Sequence, residues 1–269
     1  MKVLITGSSG FIGTHLTKKM KKEGFKVVTF DIKENKSNDV RNFETLLEKS
    51  KGCDVIVHLA ALCIDSESLE KPYEYFSTNI LGTLNALEVA RRIKVKKFLF
   101  ASSAGIGKRT PYSLSKLLGE ELCMFYNKHY NVPTYILRIY NVYGPGNEKG
   151  VIYNFVKRAL KNKPIIINFD GKQERDFIHV DDVVKSIILL LRKKYKPGIY
   201  EIGTGKSIKI IDLAKLIISL TDSKSKIVFR KPNIEEVKIS RAKEPIIKEY
   251  KPLRDRIRET LDWYKKLKH

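Results

Sequence analysis

The chain has 269 residues, and its 42% hydrophobic content is enough for a core and excludes a disordered or fibrous protein. No stretch approaches the length of a bilayer span, which needs about 20 consecutive apolar residues, and no signal peptide is visible. Three cysteines are too few for a disulfide framework or a zinc site. We therefore expect a cytoplasmic protein without a metal or a membrane partner. The formal net charge of +22 comes from lysine runs scattered along the chain, which favours a solvated basic surface over a nucleic-acid interface.

The first half of the chain alternates short apolar runs with longer helical patterns. Strands are predicted at residues 2–6, 26–30, 54–59, 97–101 and 135–139. Helices are predicted at residues 11–22, 43–49, 76–92 and 112–129. Strands that are apolar along their whole length are buried on both faces, as in a parallel sheet, and the alternation indicates right-handed βαβ units. The predicted fold class is therefore α/β, with a doubly wound, Rossmann-like parallel sheet.

After Tyr143 the pattern loosens, with Gly144-Pro145-Gly146 as the break. Further helices are predicted at residues 151–160, 180–191, 211–220 and 255–266. Further strands are predicted at residues 165–167, 199–202 and 227–230. We predict a dinucleotide-binding domain over residues 1–145, to which 172–205 contribute, and a smaller, interleaved substrate-binding region over residues 146–269.

A glycine-rich turn, G-S-S-G-F-I-G at residues 7–13, directly follows the first strand and opens the first helix. Glycines at this place allow a tight turn and let the backbone approach a pyrophosphate at the helix N-terminus. Asp31 ends the next strand, where a carboxylate accepts hydrogen bonds from an adenosine ribose and repels a 2′-phosphate. The turn and Asp31 predict a dinucleotide site with NAD preferred, although Lys33 and Lys36 leave NADP open.

A tyrosine and a lysine stand four residues apart in the helix that begins near Thr110. Tyr112 and Lys116 therefore share one face of this helix. An ammonium beside a phenol lowers its pKa from an ordinary value of about 10 toward one that suits a general base. Ser103 ends the fourth strand, at the carboxyl edge of the sheet where ligands bind. These three residues are the predicted catalytic group.

The glycine-rich turn, the Ser-Tyr-Lys group and several further segments resemble the extended short-chain dehydrogenase/reductase family, specifically its NAD-dependent epimerases and dehydratases. The further matching segments are D-V-R at 39–41, H-L-A-A at 58–61, N-I-L-G-T at 79–83, L-R-I-Y-N-V-Y-G-P at 137–145 and Q-E-R-D-F-I-H-V-D-D at 173–182. The resemblance implies a 4-epimerase of nucleotide sugars such as UDP-glucose, with NAD as the cofactor. It also implies a homodimer formed through the helices at 76–92 and 112–129.

The resemblance also assigns roles to individual residues. Tyr112 would take the proton of the sugar 4-hydroxyl, Ser103 would share that hydrogen bond, and Lys116 would hold the cofactor ribose. The implied cofactor contacts are Gly7, Gly10, Phe11, Ile12, Gly13, Asp31, Asp39, Val40, Leu59, Ala60, Ala61, Asn79, Ser102, Tyr112, Lys116 and Tyr140. The implied nucleotide-sugar contacts are Ser103, Asn141, Arg175 and Arg230. For Arg175, a structural ion pair with Asp181 or Asp182 is the alternative.

The segment between Ser103 and Tyr112 is shorter than in typical epimerases, which predicts a wider pocket on the sugar side. A 4,6-dehydratase is disfavoured because Ala104-Gly105 follows Ser103 and offers no carboxylate. A ketosugar reductase or another nucleotide-sugar epimerase remains open. A non-catalytic dinucleotide sensor also remains, although such proteins tend to lose the Tyr/Lys pair that this chain keeps.

Overall fold

The structure is a computed structural model that describes residues 1–231 and 237–266. The chain forms two compact units. The first comprises Met1–Ile139 and Val184–Tyr200, and the second comprises Tyr140–Val183 with the described residues from Glu201 onward.

The elements of the described residues alternate as the sequence predicts over most of the chain. The strands are β1 (Lys2–Thr6), β2 (Lys26–Phe30), β3 (Val55–His58), β4 (Lys97–Ser103), β5 (Thr134–Ile139), β6 (Asn141–Tyr143), β7 (Ile165–Asn168), β8 (Glu174–His179), β9 (Gly198–Ile202), β10 (Ser207–Lys209), β11 (Ile227–Arg230) and β12 (Ile239–Ser240). The helices are α1 (Phe11–Lys22), α2 (Phe43–Ser50), α3 (Asp65–Glu70), α4 (Pro72–Phe76), α5 (Gly82–Arg92), α6 (Pro111–Tyr130), α7 (Gly150–Ala159), α8 (Val180–Arg192), α9 (Ile210–Leu220) and α10 (Leu253–Lys266).

A six-stranded sheet in the order β2-β1-β3-β4-β5-β9 confirms the predicted fold class. Strands β1 to β5 pair in parallel along this order, with Thr6 opposite both Phe30 and His58. One core cluster of the first unit consists of apolar side chains of this sheet and of the helices that pack on it, and neighbouring strand residues such as Val3, Ile5 and Val57 are also fully buried. The cluster's fully buried members include Leu4, Phe30, Leu46, Ile56, Leu87 and Phe98. The carboxyl ends of parallel strands lie at one edge, and the glycine turn follows β1, Asp31 follows β2, Leu59 follows β3 and Ser102 lies near the end of β4 at this edge.

The region predicted as one helix over 76–92 departs from a regular α-helix. It contains the end of α4, a π-helical turn at Ser77–Leu81 and then α5. The side chain of Asn79 lies in this turn and is almost completely buried. A π-turn adds a residue to the helical circuit and often marks a functional position.

The second unit contains smaller sheets around its own core. Strand β8 pairs with β6, β10 and β12, and β11 pairs in parallel with β7. The sequence analysis missed β8 because charged residues interrupt its apolar pattern. Asp176 in β8 is fully buried, and its carboxylate accepts hydrogen bonds from backbone N–H groups of Thr204 at 3.0 Å, Gly205 at 2.9 Å and Ala242 at 3.2 Å.

Helices α7, α9 and α10 enclose the core of the second unit. Its buried members include Ile152, Phe155, Ile165, Ile167, Leu213, Ile217 and Ile257. Within the described residues, no helix is long and apolar enough to cross a bilayer, and no three His, Cys, Asp or Glu side chains lie together in a way that could hold a metal ion.

Candidate active site

The turn between β1 and α1 requires glycine at two positions. Gly7 has a φ of +69°, and a Cβ there would lie 2.7 Å from the backbone nitrogen of Ala60. A Cβ on Gly13 would lie 2.1 Å from the carbonyl oxygen of Gly7. Among the described residues, no side chain caps the N-terminus of α1, whose first residues are Phe11 and Ile12. The bare backbone and uncapped helix N-terminus fit the pyrophosphate of a dinucleotide.

Two carboxylates lie against this turn. Asp31 is buried and accepts hydrogen bonds from the backbone N–H groups of Ser9 at 3.0 Å and Lys33 at 2.8 Å. Glu34 accepts hydrogen bonds from the hydroxyls of both Ser8 and Ser9, each at 3.0 Å. Burial raises the pKa of Glu34, but these hydrogen bonds and one from Thr29 outweigh it, so the pKa lies below its ordinary value.

Glu34 is a site residue that the sequence analysis missed. The available signal was a second acidic residue close behind the strand-ending Asp31, but its tie to the glycine turn depends on folding. Together the two carboxylates bring negative charge to the place where Asp31 alone was expected to reject a 2′-phosphate.

The segment with Asp39 and Val40, two of the implied cofactor contacts, lies beside α5. The Asp39 carboxylate pairs with the guanidinium of Arg41, and this hydrogen bonding holds its pKa below the ordinary value despite partial burial. Val40 is buried against Gly82 in α5, where a Cβ would lie 2.5 Å from a Val40 methyl group. The Asn85 amide donates to the carbonyl oxygen of Val40 at 3.0 Å. Contacts therefore hold both Asp39 and Val40, the two implied cofactor contacts of this segment, in place.

The segment after β3 faces the glycine turn. The backbone N–H of Leu59 donates to the carbonyl oxygen of Thr6 at 3.2 Å, and that of Ala60 donates to the Thr6 hydroxyl at 3.2 Å. Ala61 follows and is partly exposed. The small side chains of Ala60 and Ala61 suit the close approach of a flat cofactor.

Ser103 and Tyr112 are brought together at the end of β4. The Ser103 hydroxyl is a hydrogen-bonding neighbour of the Tyr112 phenol and accepts a hydrogen bond from the backbone N–H of Gly105 at 3.0 Å. Burial raises the pKa of Tyr112 above its ordinary value, the nearby Cys63 and Asp65 act in the same direction, and the hydrogen bond with Ser103 opposes them. The phenol of the cofactor-free protein is therefore protonated at neutral pH.

Lys116 lies one helical turn beyond Tyr112 in α6. Its side chain is buried, and its ammonium donates to the carbonyl oxygen of Ala101 at 2.7 Å. The ammonium also lies 5.0 Å from the centre of the Phe100 ring. Burial lowers the pKa of Lys116 from 10.5 to about 8, because water no longer stabilises the charged form. The protein thus keeps a buried cation on the helix face that carries the tyrosine.

Asn79 and Ser102 lie behind these groups. The Asn79 amide donates to the Ser115 hydroxyl at 2.9 Å and exchanges hydrogen bonds with the backbone of Leu62 at 2.9 and 3.0 Å. The Ser102 hydroxyl is buried and donates to Glu120, which forms an ion pair with Arg138 at 2.7 Å. Asn79 therefore joins the π-helical turn to the helix that carries Tyr112.

The second unit carries the other predicted contacts. The Tyr140 hydroxyl donates to Glu201 at 3.0 Å, and the amide of the exposed Asn141 donates to the carbonyl oxygen of Asp176 at 2.8 Å. The Arg175 guanidinium is partly buried and donates to the carbonyl oxygen of Glu174 at 2.8 Å. These residues lie along β6 and β8.

Asp181 and Asp182, the alternative partners considered for Arg175, form ion pairs with Arg256 of α10. The distances are 3.5 Å to Asp181 and 3.3 Å to Asp182. Arg256 of the C-terminal helix is thus a partner of these carboxylates that the sequence did not reveal.

Arg230 ends β11 and lines an open depression of about 600 Å³. Its other lining residues are Phe169, Asp170, Phe229 and Lys231. The Arg230 guanidinium donates to the Asn168 side chain at 3.3 Å and is exposed. Two aromatic rings and two cations around one depression can hold a flat base and an anionic group.

Comparisons with known proteins find a matching family, similar sequences and a similar solved structure. The sequence model of the NAD dependent epimerase/dehydratase family matches residues 3–203. A protein of Methanocaldococcus jannaschii described as a putative UDP-glucose 4-epimerase is 35% identical, over 87% of this chain and 87% of its own length. A UDP-N-acetyl-alpha-D-glucosaminuronate decarboxylase of Bacillus cytotoxicus is 30% identical, over 100% of this chain and 99% of its own length. The crystal structure of the Thermotoga maritima UDP-glucose 4-epimerase with UDP-glucose superposes with a TM-score of 0.90, at 27% identity and full coverage of both chains.

Proposed function

Because this chain belongs to the NAD dependent epimerase/dehydratase family, we propose that it is a nucleotide-sugar 4-epimerase and that its substrate is a UDP-hexose. One observation carries the proposal: the Ser103 hydroxyl at the end of β4 interacts with the Tyr112 phenol, and the buried Lys116 lies one turn further along the helix that carries Tyr112. This arrangement suits proton transfer at a sugar hydroxyl. The UDP-glucose 4-epimerase description of the 35% identical relative supports the same activity.

The cofactor of this family is NAD, and when held at the glycine turn it would supply reversible hydride transfer at the sugar carbon. The residues of this chain accept and return the proton of the sugar 4-hydroxyl. Tyr112 accepts it from the 4-hydroxyl as that carbon is oxidised and gives it back when the carbonyl is reduced. Ser103 holds the same oxygen by a hydrogen bond, and the Lys116 ammonium stabilises the phenolate that Tyr112 becomes.

Tyr112 must lose its proton for this role, although burial raises its pKa in the free protein. Positive charge would counteract burial, and the family resemblance assigns this role to Lys116, one helical turn further along α6. The positively charged nicotinamide ring adds to it once the site at the glycine turn is filled. The base is thus active in the cofactor-bound protein and inactive without it.

The diphosphate and base of the substrate match the second unit's chemistry. Arg230 with Lys231 offers cations to the diphosphate, and Phe169 and Phe229 offer rings to the uracil. Arg175 and Asn141 are assigned to the same nucleotide. A chain with a net charge of +22 also draws an anionic substrate toward it.

Decarboxylation is the second candidate, since a UDP-sugar decarboxylase matches this chain over its full length. Both reactions would begin with oxidation at the sugar's carbon 4, in which bound NAD would take the hydride and a tyrosine at the place of Tyr112 would take the proton. They diverge only if the sugar carries a carboxylate that can leave as carbon dioxide.

We also propose that two copies of the chain form a homodimer through α5 and α6. Both helices expose large apolar side chains, which are costly to leave in water. They are Leu84 on α5 and Leu114, Leu118, Met124 and Phe125 on α6, with Leu81 just before α5.

Incubation of the purified protein with a panel of nucleotide sugars, without added NAD, tests the proposal. The panel contains UDP-glucose, UDP-galactose, their N-acetyl forms, UDP-glucuronic acid and dTDP-glucose, with products identified by NMR. We expect interconversion of a C4 pair and its loss in Tyr112→Phe. Carbon dioxide release from UDP-glucuronic acid would identify a decarboxylase, and a 4-keto-6-deoxy product would identify a dehydratase. The absence of both binding and turnover with every sugar would refute the proposal.

A further inference from the structure

A short segment, residues 104–110, joins the end of β4 to the helix that carries Tyr112. It contains Gly105 and Gly107, and glycine gives the backbone the greatest freedom to lose on folding. A segment of this kind does not hold a fixed position without contacts that tie it down. The residues that do so therefore control where Ser103 and Tyr112 lie relative to each other.

Asp65, the first residue of α3, makes two such contacts. One carboxylate oxygen accepts a hydrogen bond from the ammonium of Lys108 at 2.7 Å. The other accepts a hydrogen bond from the hydroxyl of Thr110 at 2.8 Å. One side chain thus holds the middle of the segment and its end.

Thr110 is also the N-cap of α6. Its hydroxyl oxygen accepts a hydrogen bond from the backbone N–H of Ser113 at 3.1 Å, which fixes the first turn of the helix. The Ser113 hydroxyl in turn donates to the carbonyl oxygen of Gly105 at 2.7 Å. Tyr112 lies within this closed set of hydrogen bonds, between the capping threonine and the serine that it caps.

A second path joins α3 to the catalytic tyrosine. The Tyr75 hydroxyl donates to Glu67 of α3 at 3.0 Å and accepts from the backbone N–H of Ile64 at 3.0 Å. The Tyr75 ring meets the Tyr112 ring edge-on, with 6.5 Å between centres. Helix α3 therefore supports Tyr112 both through its ring and through its backbone.

We propose that Asp65 is a positioning residue, which fixes residues 104–110 and the first turn of α6 and thereby sets the place of the Tyr112 hydroxyl beside Ser103. The inference rests on the proposed function for its catalytic consequence. A displacement of about 1 Å at a reacting group can cost about a hundredfold in rate, so a side chain that never touches the substrate can still govern turnover. These contacts hold the short segment in one place, which its length and its glycines alone do not predict.

Variants separate the two contacts of the Asp65 carboxylate, one with Lys108 and one with Thr110. Asp65→Ala removes both, whereas Asp65→Asn keeps an oxygen for Thr110 and loses the charge that binds Lys108. Lys108→Met removes the contact with the ammonium and Thr110→Val removes the contact with the hydroxyl, whereas Thr110→Ser keeps the hydroxyl. Asp54→Asn is the matched control, because Asp54 also accepts from a lysine ammonium (Lys96) and from a backbone N–H (Lys2), each at 2.8 Å, at the opposite edge of the sheet.

Steady-state kinetics and hydrogen exchange are measured on each variant. For Asp65→Ala we expect kcat to fall about tenfold or more with KM within about threefold, since transition-state geometry is lost and substrate binding is kept. Backbone amides of residues 105–113 should exchange faster, with Ser113 most affected. Thr110→Ser and Asp54→Asn should match the wild-type chain in both measurements.

Unchanged kcat and unchanged exchange in Asp65→Ala would overturn the proposal. So would a raised KM at constant kcat, which would make Asp65 a binding residue. If Asp65→Ala fails to fold, Lys108→Met and Thr110→Val decide by the same criteria. A wild-type chain inactive on every sugar would refute the proposed function alone, and the exchange comparison would still confirm or refute the fixing of the segment.

Discussion

The Asp31 and Glu34 carboxylates meet the glycine turn from the same loop, and they differ in how they are held. Asp31 is buried and bonded to backbone N–H groups, whereas Glu34 is exposed and bonded to two serine hydroxyls. Asp31 follows from the sequence because a strand-ending acid has a known role at such a turn. Glu34 does not, since its hydroxyl partners become neighbours only after β1 and β2 pair.

Glu34→Gln should increase the affinity for NADP about threefold to tenfold, because one negative charge near the 2′-phosphate is lost. NAD affinity should change little, since glutamine still accepts from the serine hydroxyls. Titration of both cofactors into the cofactor-free protein measures this, with Glu48→Gln, a surface carboxylate paired with Lys51, as the control. An unchanged NADP affinity would show that Glu34 does not face the 2′ position.

Lys116→Met should raise the stability of the cofactor-free protein by about 1–2 kcal/mol at pH 7 while abolishing turnover. The wild-type chain must bury an ammonium whose pKa falls from 10.5 to about 8, and methionine fills that space without charge. The hydrogen bond to Ala101 is lost, which reduces the gain. Between pH 8 and 10.5 the unfolded chain binds the proton that the folded protein has released, so wild-type stability rises with pH and the advantage of methionine shrinks.

Urea unfolding at pH 7 and pH 10 checks this expectation. Lys128→Met, on the exposed end of the same helix, should stay within about 0.5 kcal/mol of the wild-type chain. A Lys116→Met protein less stable than the wild-type chain at pH 7 would mean that the contacts of the ammonium outweigh its desolvation.

At the scale of elements, a buried histidine joins β1, β3 and α5. His58 contacts the Thr6 hydroxyl at 2.8 Å through Nδ1 and the Thr83 hydroxyl at 3.2 Å through Nε2. Since the Thr83 hydroxyl donates to the carbonyl oxygen of Asn79 at 2.6 Å, Nε2 carries the ring proton and Nδ1 accepts. Complete burial, with the Lys116 charge nearby, lowers the pKa of His58 from 6.5 to about 3. A neutral imidazole with a hydrogen bond at each ring nitrogen has a structural role.

Acidification should therefore destabilise the protein through His58. Below pH 6.5 the unfolded chain binds a proton that the folded protein refuses until about pH 3, so stability falls across this window. The loss from this one group is about 2 kcal/mol at pH 5. Urea unfolding at pH 7 and pH 5 should show a smaller loss in His58→Gln than in the wild-type chain, and equal losses would assign the acid sensitivity elsewhere.

The elements predicted best are those with a strong local pattern. Helix α1 and strand β2 have the predicted bounds because an apolar stripe or run ends in clear polar boundaries. Helices α3 and α4 were missed because they are short, and the π-helical turn was missed because one inserted residue barely changes the apolar period. The tie from Asp65 to Lys108 and Thr110 spans more than 40 residues of sequence, which no local pattern reports.

At the scale of the whole molecule, the expected homodimer depends on apolar side chains of α5 and α6. Leu118→Glu would place a charge at the centre of this face and should convert a dimer of about twice 31.0 kDa into a monomer. Size-exclusion chromatography with light scattering measures the mass. Ile166→Glu, at an exposed apolar position of β7, should leave it unchanged. A wild-type monomer, or a dimer that survives Leu118→Glu, would contradict the assignment of this face.

Retention of an isotopic label at carbon 4 is the most direct test of the proposed reaction. The purified protein, without added NAD, is incubated in ordinary water with UDP-galactose deuterated at carbon 4, and the product is followed by NMR. We predict UDP-glucose with the deuterium still at carbon 4, because a hydrogen that leaves and returns as hydride does not exchange with water, and we predict no conversion by Tyr112→Phe. Loss of the deuterium to water, or a product that differs from the substrate elsewhere than at carbon 4, would contradict the account.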